Sequence, residues 1–94
     1  MDSLLIDTWG FLTLRDKREK YHNKVVDFIN KQFALKIKII TSDYILDEAF
    51  TLIYKRLEVK TAQCSVELIE KLISSNNLTL ERINQSRFDK AILL

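Results

Sequence analysis

Apolar positions in this chain fall into short unbroken runs separated by longer stretches of helical spacing. Ser3 to Asp7 is a brief continuous run, the pattern of a strand buried on both faces. Trp9 to Leu14 reads as a short helical or irregular segment that gives Trp9, Phe11 and Leu12 to the core. From Lys17 to Leu35, Tyr21, Val25, Phe28, Ile29, Gln32 and Phe33 recur at helical spacing opposite Lys20, Lys24, Asp27 and Lys31. Ile37 to Thr41 is rich in β-branched residues and predicts a second strand.

Ser42 or Asp43 caps a helix to about Glu58, with the stripe Leu46, Ala49, Phe50, Ile53 and Leu57. Another helix is expected from about Thr61, its N-cap, through Ala62, Val66, Ile69 and Ile73 to Ser74. Leu78 to Ile83 is a third strand diluted by Thr79, Glu81 and Arg82. Ser86 would then cap a last helix carrying Phe88, Ala91 and Ile92. Strands separated by helices predict an α/β fold, a parallel sheet of about three strands sandwiched by helices. Ligands of such sheets bind outside the carboxyl ends of the strands, where Asp7, Thr41 and Ser42 fall.

Composition narrows this without changing it. Ninety-four residues, 47% of them apolar, suit one small domain spanning residues 1–94. The net charge of +2 permits RNA as a partner but does not call for it. A single cysteine, Cys64, excludes an internal disulfide and fits a reducing compartment. Neither a secretory leader pattern nor an apolar run of the roughly 18 residues a membrane span needs is present. The cytoplasm is the expected setting. With no Pro and only Gly10, turns fall to Asn76-Asn77 and Asn84-Gln85-Ser86.

Two of the thirteen carboxylates stand out by position. Asp7 is delivered by a buried strand to its carboxyl end. Glu48 falls at the margin of the apolar stripe of its helix, near Ile45 and Leu52, whereas Asp47 falls with Thr51, Tyr54 and Glu58 on the solvent side. Together they suit the start of a Mg²⁺ site, since this ion takes few protein carboxylates and keeps several waters. Each has a plainer reading as well. Asp7 can cap a helix through the Trp9 or Gly10 N–H, and Glu48 can be an ordinary boundary carboxylate.

Leu4-Leu5-Ile6-Asp7-Thr8, the helix containing His22, and Ile39-Ile40-Thr41-Ser42-Asp43-Tyr44-Ile45-Leu46-Asp47-Glu48 together resemble the PIN domain family. The nearest likeness is to the small PIN ribonucleases that serve as toxins of toxin–antitoxin pairs, and Phe88-Asp89-Lys90-Ala91 is similar to the family's "F..A" helix. The resemblance implies a Mg²⁺- or Mn²⁺-dependent endoribonuclease, a hydrolase cutting RNA phosphodiesters with water activated by the ion. Asp7 and Glu48 match the family's first two acids, as catalytic residues and metal ligands. Thr41 and Ser42 match its hydroxyl-bearing turn, with a supporting hydrogen-bonding role behind the ligands.

The family's third and fourth acids follow the "F..A" helix, where this chain ends, and Asp89 lies inside that helix. Strand one also has a neighbouring strand in the family that no segment here supplies. The expectation is therefore a PIN-like unit lacking the C-terminal part of the family fold, with its metal site completed by residues outside the chain. The alternative is a truncated, non-catalytic module working through protein contacts. An antitoxin-like protein, or a second copy meeting an apolar C-terminal surface and an open sheet edge, would then be the partner.

Other groups point to less. His22 has no Cys or His neighbours and is not a zinc ligand set. Cys64 has no nearby base to activate it. Arg15, Lys17, Arg18, Lys20 and Lys24, with Tyr21 among them, form a basic run that suits either RNA phosphates or a solvated helix start.

Overall fold

In the computed structural model, which describes residues 3–81 and 91–93, four parallel strands form one sheet in the order β3-β2-β1-β4. The element sequence is β1 (Ser3–Leu5), α1 (Thr8–Arg15), α2 (His22–Ala34), β2 (Lys38–Ser42), α3 (Asp43–Arg56), α4 (Val59–Ser74), β3 (Thr79–Glu81) and β4 (Ala91–Leu93). Leu4, Leu5 and Ile6 are all buried, as are Ile39, Ile40, Thr41 and Ser42. Consecutive buried residues on a strand mean that both faces are covered, as in parallel sheets flanked by helices.

The core is continuous. Phe11 and Leu12 of α1, Val25 and Ile29 of α2, Leu46, Ala49 and Ile53 of α3, and Ala62 and Ile69 of α4 meet Leu4, Ile39 and Leu78. Of the stripe expected on α3, Leu46, Ala49 and Ile53 are buried and Phe50 and Leu57 half-buried. A side chain such as Ile53, with 0% of its surface exposed, contributes about 1.5–3 kcal/mol by leaving water.

Trp9, expected in the core, is exposed at the second position of α1. Three further expectations are corrected. The helix foreseen from Lys17 begins at His22, because Asp16 turns the chain first. Its Oδ1 accepts from the Arg18 N–H at 3.0 Å and its carbonyl from the Glu19 N–H at 3.1 Å, which diverts these residues into turns. Tyr21, now ahead of the helix, and Phe28, within it, lie exposed and not in the stripe. Thr61 does not cap α4. The helix starts at Val59, directly after Leu57 ends α3 in extended conformation, with Glu58 at the cap position.

The third correction is the largest. Ala91–Leu93 is a strand, not part of a helix. It pairs in parallel with β1, Ser3 opposite Ala91 and Leu5 opposite Leu93. Backbone N–H and C=O groups on the outer side of β1 need partners, and this pairing overrides the helical spacing of Ala91 and Ile92. Strand one thus has a neighbour on each side, and the open edge expected beside it is closed. Ala91 therefore does not continue an "F..A" helix; Phe88, Asp89 and Lys90, like Asn84-Gln85-Ser86, lie outside the described residues. Asn76 does make its expected turn, with φ 64°.

Candidate functional site

Asp7 and Glu48 are brought to one place by two strand-to-helix junctions of the same design. After Leu5, the Ile6 N–H still bonds the Ile40 carbonyl at 2.9 Å, and Asp7 then caps α1. Its Oδ1 accepts the Gly10 N–H at 3.0 Å. One strand over, Ser42 ends β2 and caps α3, its Oγ accepting the Ile45 N–H at 3.1 Å. Because β1 and β2 are adjacent and parallel, both helix N-termini open at the same edge of the sheet. Their partial positive charge favours anionic groups there.

The link between the two acids is Thr8. Its hydroxyl donates to Oε1 of Glu48 at 2.5 Å, so the carboxylate of α3 reaches across to the residue that follows Asp7. Glu48 itself is exposed, whereas Asp7 is half-buried. Thr41 lies fully buried between the strands, its hydroxyl donating to the Ile6 carbonyl at 3.1 Å. That bond fixes the peptide leading into Asp7. Asp47 is exposed, its carbonyl accepting from the Thr51 hydroxyl at 2.9 Å.

Asp7 and Glu48 share an edge with Thr41 and Ser42, and the capping reading of Asp7 is realised. Capping uses Oδ1 and leaves Oδ2 clear of hydrogen bonds from the other described residues. Sequence reasoning gives Thr8 no role, although a hydroxyl directly after the acid was the available signal.

The donors at this edge are all hard oxygens, which suit Mg²⁺ or Mn²⁺ and not a thiophilic ion. No group of three or more His, Cys, Asp or Glu placed to hold a metal occurs among the described residues. Two carboxylates still fit Mg²⁺, whose remaining positions go to waters and substrate phosphate.

The other groups have structural contacts. His22 Nδ1 lies 2.8 Å from the Thr13 carbonyl, which can only accept, so the ring donates and ties α2 to α1. Cys64 is exposed. In the basic run, Arg15 donates from Nε to the Ser65 hydroxyl at 2.9 Å, and Lys20 and Lys24 lie 5.4 and 5.8 Å from the Tyr21 ring centroid. Arg18 donates to both Asp16 oxygens at 3.0 Å and to the Arg56 carbonyl at 2.9 Å. This bonding, more than the opposing effect of burial, holds the Asp16 carboxyl below its ordinary value and raises the Arg18 guanidinium. The Thr8–Glu48 bond ties the start of α1 to the second turn of α3, and the Arg18–Arg56 bond ties the turn after α1 to the last residue of α3.

A cleft of about 760 Å³ lies between the α1–α2 turn, α2 and α4, with Leu14, Ile29, Phe33 and Leu72 among its walls. Neither Asp7 nor Glu48 lines it. No helix among the described residues is long and apolar enough to cross a membrane. No protein-family model matches the chain, and no curated protein matches it.

Proposed function

We propose that this chain is a PIN-like, Mg²⁺- or Mn²⁺-dependent endoribonuclease unit that works in the cytoplasm, with Asp7 and Glu48 as its metal ligands. The observation that carries the reading is the Thr8–Glu48 hydrogen bond, which joins the helix carboxylate to the strand-end carboxylate. The parallel sheet supports it, because α/β sheets bind ligands beyond their carboxyl ends. Asp7 also stands next to the point where the strand order reverses, with β2 and β3 to one side of β1 and β4 to the other.

When bound, a divalent cation supplies electrostatic stabilisation of the phosphodiester and an activated water. The protein's part is to present the ligands without reorganisation. Asp7 is oriented by the Gly10 N–H, Glu48 by the Thr8 hydroxyl, and the Ile6 peptide by Thr41. Ser42 sets where α3 starts and so where Glu48 falls. Waters and the RNA phosphate complete the ion's surroundings, together with the further acids that the family resemblance implies.

The test is hydrolysis of a mixed single-stranded RNA with Mg²⁺, with Mn²⁺ and with chelator. Metal-dependent cleavage that Asp7→Asn abolishes is the expected result. Cleavage surviving in Asp7→Asn would remove Asp7 from the mechanism.

A further inference from the structure

The cleft between the α1–α2 turn, α2 and α4 combines two kinds of surface. Ile29, Phe33, Leu68 and Leu72 are among its apolar walls, around a volume of about 760 Å³. That size lies within the roughly 300–1,000 Å³ of small-molecule sites, which are mostly apolar with a few placed polar groups. Its charged lining is unbalanced. Four cations, Arg15, Lys17, Arg18 and Arg56, stand against two carboxylates, Asp16 and Glu58. An anion with an apolar body complements both surfaces.

The arginines are not equivalent. Arg18 gives its Nε and Nη2 to Asp16 and to the Arg56 carbonyl, and Nη1 of Arg56 lies 3.7 Å from the Glu19 carboxylate. Arg15 is held differently. It is the last residue of α1 and half-buried, and its Nε donates at 2.9 Å to the hydroxyl of Ser65, a fully buried residue of α4. This bond bridges α1 and α4 and orients the guanidinium. Neither Nη group of Arg15 meets an acceptor among the described residues. With Nε engaged, those two nitrogens form an end-on fork that matches the two oxygens of a carboxylate.

We propose that the cleft binds an aliphatic monocarboxylate, with its chain against Ile29, Phe33, Leu68 and Leu72 and its headgroup on the Nη fork of Arg15. The surplus of positive charge at the same place draws the anion in. Neither Asp7 nor Glu48 lines the cleft, so its ligand does not depend on the nuclease reading.

The test is calorimetric titration of the full chain with decanoate, decanol and decylamine, each below the concentration at which it aggregates. Decanoate is expected to bind about tenfold or more tighter than decanol, and decylamine not to bind. In NMR spectra, decanoate should shift the Arg15 Nε–H signal and the methyl signals of Ile29 and Leu72 together. Arg15→Met should bring decanoate to the affinity of decanol, whereas Leu68→Asn should weaken both ligands alike. Equal affinity for the three ligands, no saturable binding of decanoate, or an unchanged decanoate affinity in Arg15→Met overturns the proposal.

Arg15→Met also strips the buried Ser65 hydroxyl of its partner, so a urea melt accompanies it. If that variant does not fold, the contrast between decanoate and decanol on the unaltered chain decides. Sedimentation over a range of protein concentrations addresses the other occupant. A dimer that decanoate does not dissociate and that Leu68→Asn breaks puts a second copy in the cleft and overturns the proposal.

Discussion

The hydroxyl of Thr8 donates to Oε1 of Glu48, forty positions away in sequence, and so joins the first turn of α1 to α3 at the carboxyl edge of the sheet. An exposed hydrogen bond of this kind contributes little to stability, about 0.5–1 kcal/mol. Its proposed importance is positional. Thr8→Val should leave the denaturation midpoint nearly unchanged while weakening Mg²⁺ affinity about tenfold or more, as loss of a partner behind a metal ligand commonly does. Isothermal titration with Mg²⁺ or Mn²⁺ beside a urea melt checks both halves.

Thr41 offers the opposite balance. Its side chain is fully buried and its hydroxyl bonds the Ile6 carbonyl, so Thr41→Val removes a bond inside the sheet while keeping the shape. The expected loss is about 1–3 kcal/mol of unfolding free energy. Ser42→Ala, which removes the cap on α3, should cost about 1 kcal/mol. Urea unfolding measures each, and additive losses are not expected because the two positions are neighbours.

Acid should loosen the turn between α1 and α2. The Asp16 carboxyl has its affinity for protons lowered chiefly by the Arg18 guanidinium, below the ordinary value of 3.8. A depressed folded-state value contributes stability above the unfolded value, which is lost as pH falls through the folded one. Stability should therefore decline below pH 3.8, and Asp16→Asn should flatten that part of the acid limb. Thermal melts across this range test it; identical acid limbs in the two proteins would sink the idea.

Lys36 sits at φ 58° after α2, a conformation that burdens any residue with a Cβ. Lys36→Gly should raise stability by about 0.5–1 kcal/mol, since glycine enters this region freely. A higher urea midpoint with unchanged slope is the signature.

How much of this was legible in the sequence depends on which forces act locally. β2 and α3 could be read almost to the residue, because Ile37 to Thr41 is rich in β-branched residues and Ser42 both ends the strand and caps the helix. The buried stripe of α3 followed from helical spacing. Ala91–Leu93 could not be read that way, since three apolar residues suit either period and the deciding partner is β1, nearly ninety positions earlier. The start of α2 was missed for a local reason, the competition of the Asp16 side chain for backbone donors. Asp7 and Glu48 were legible as positions on a strand end and a helix margin. Their union through Thr8 was not, because no periodicity records a contact between two elements.

The central claim is that Asp7 and Glu48 hold one divalent ion. Titration with Mn²⁺ followed by NMR tests it most directly, because the paramagnetic ion broadens only nearby signals. Saturable broadening of Asp7, Thr8 and Glu48 together, displaced by Mg²⁺ and absent in Asp7→Asn, is the predicted result. Broadening that spares either acid, or that persists unchanged in Asp7→Asn, would contradict the account.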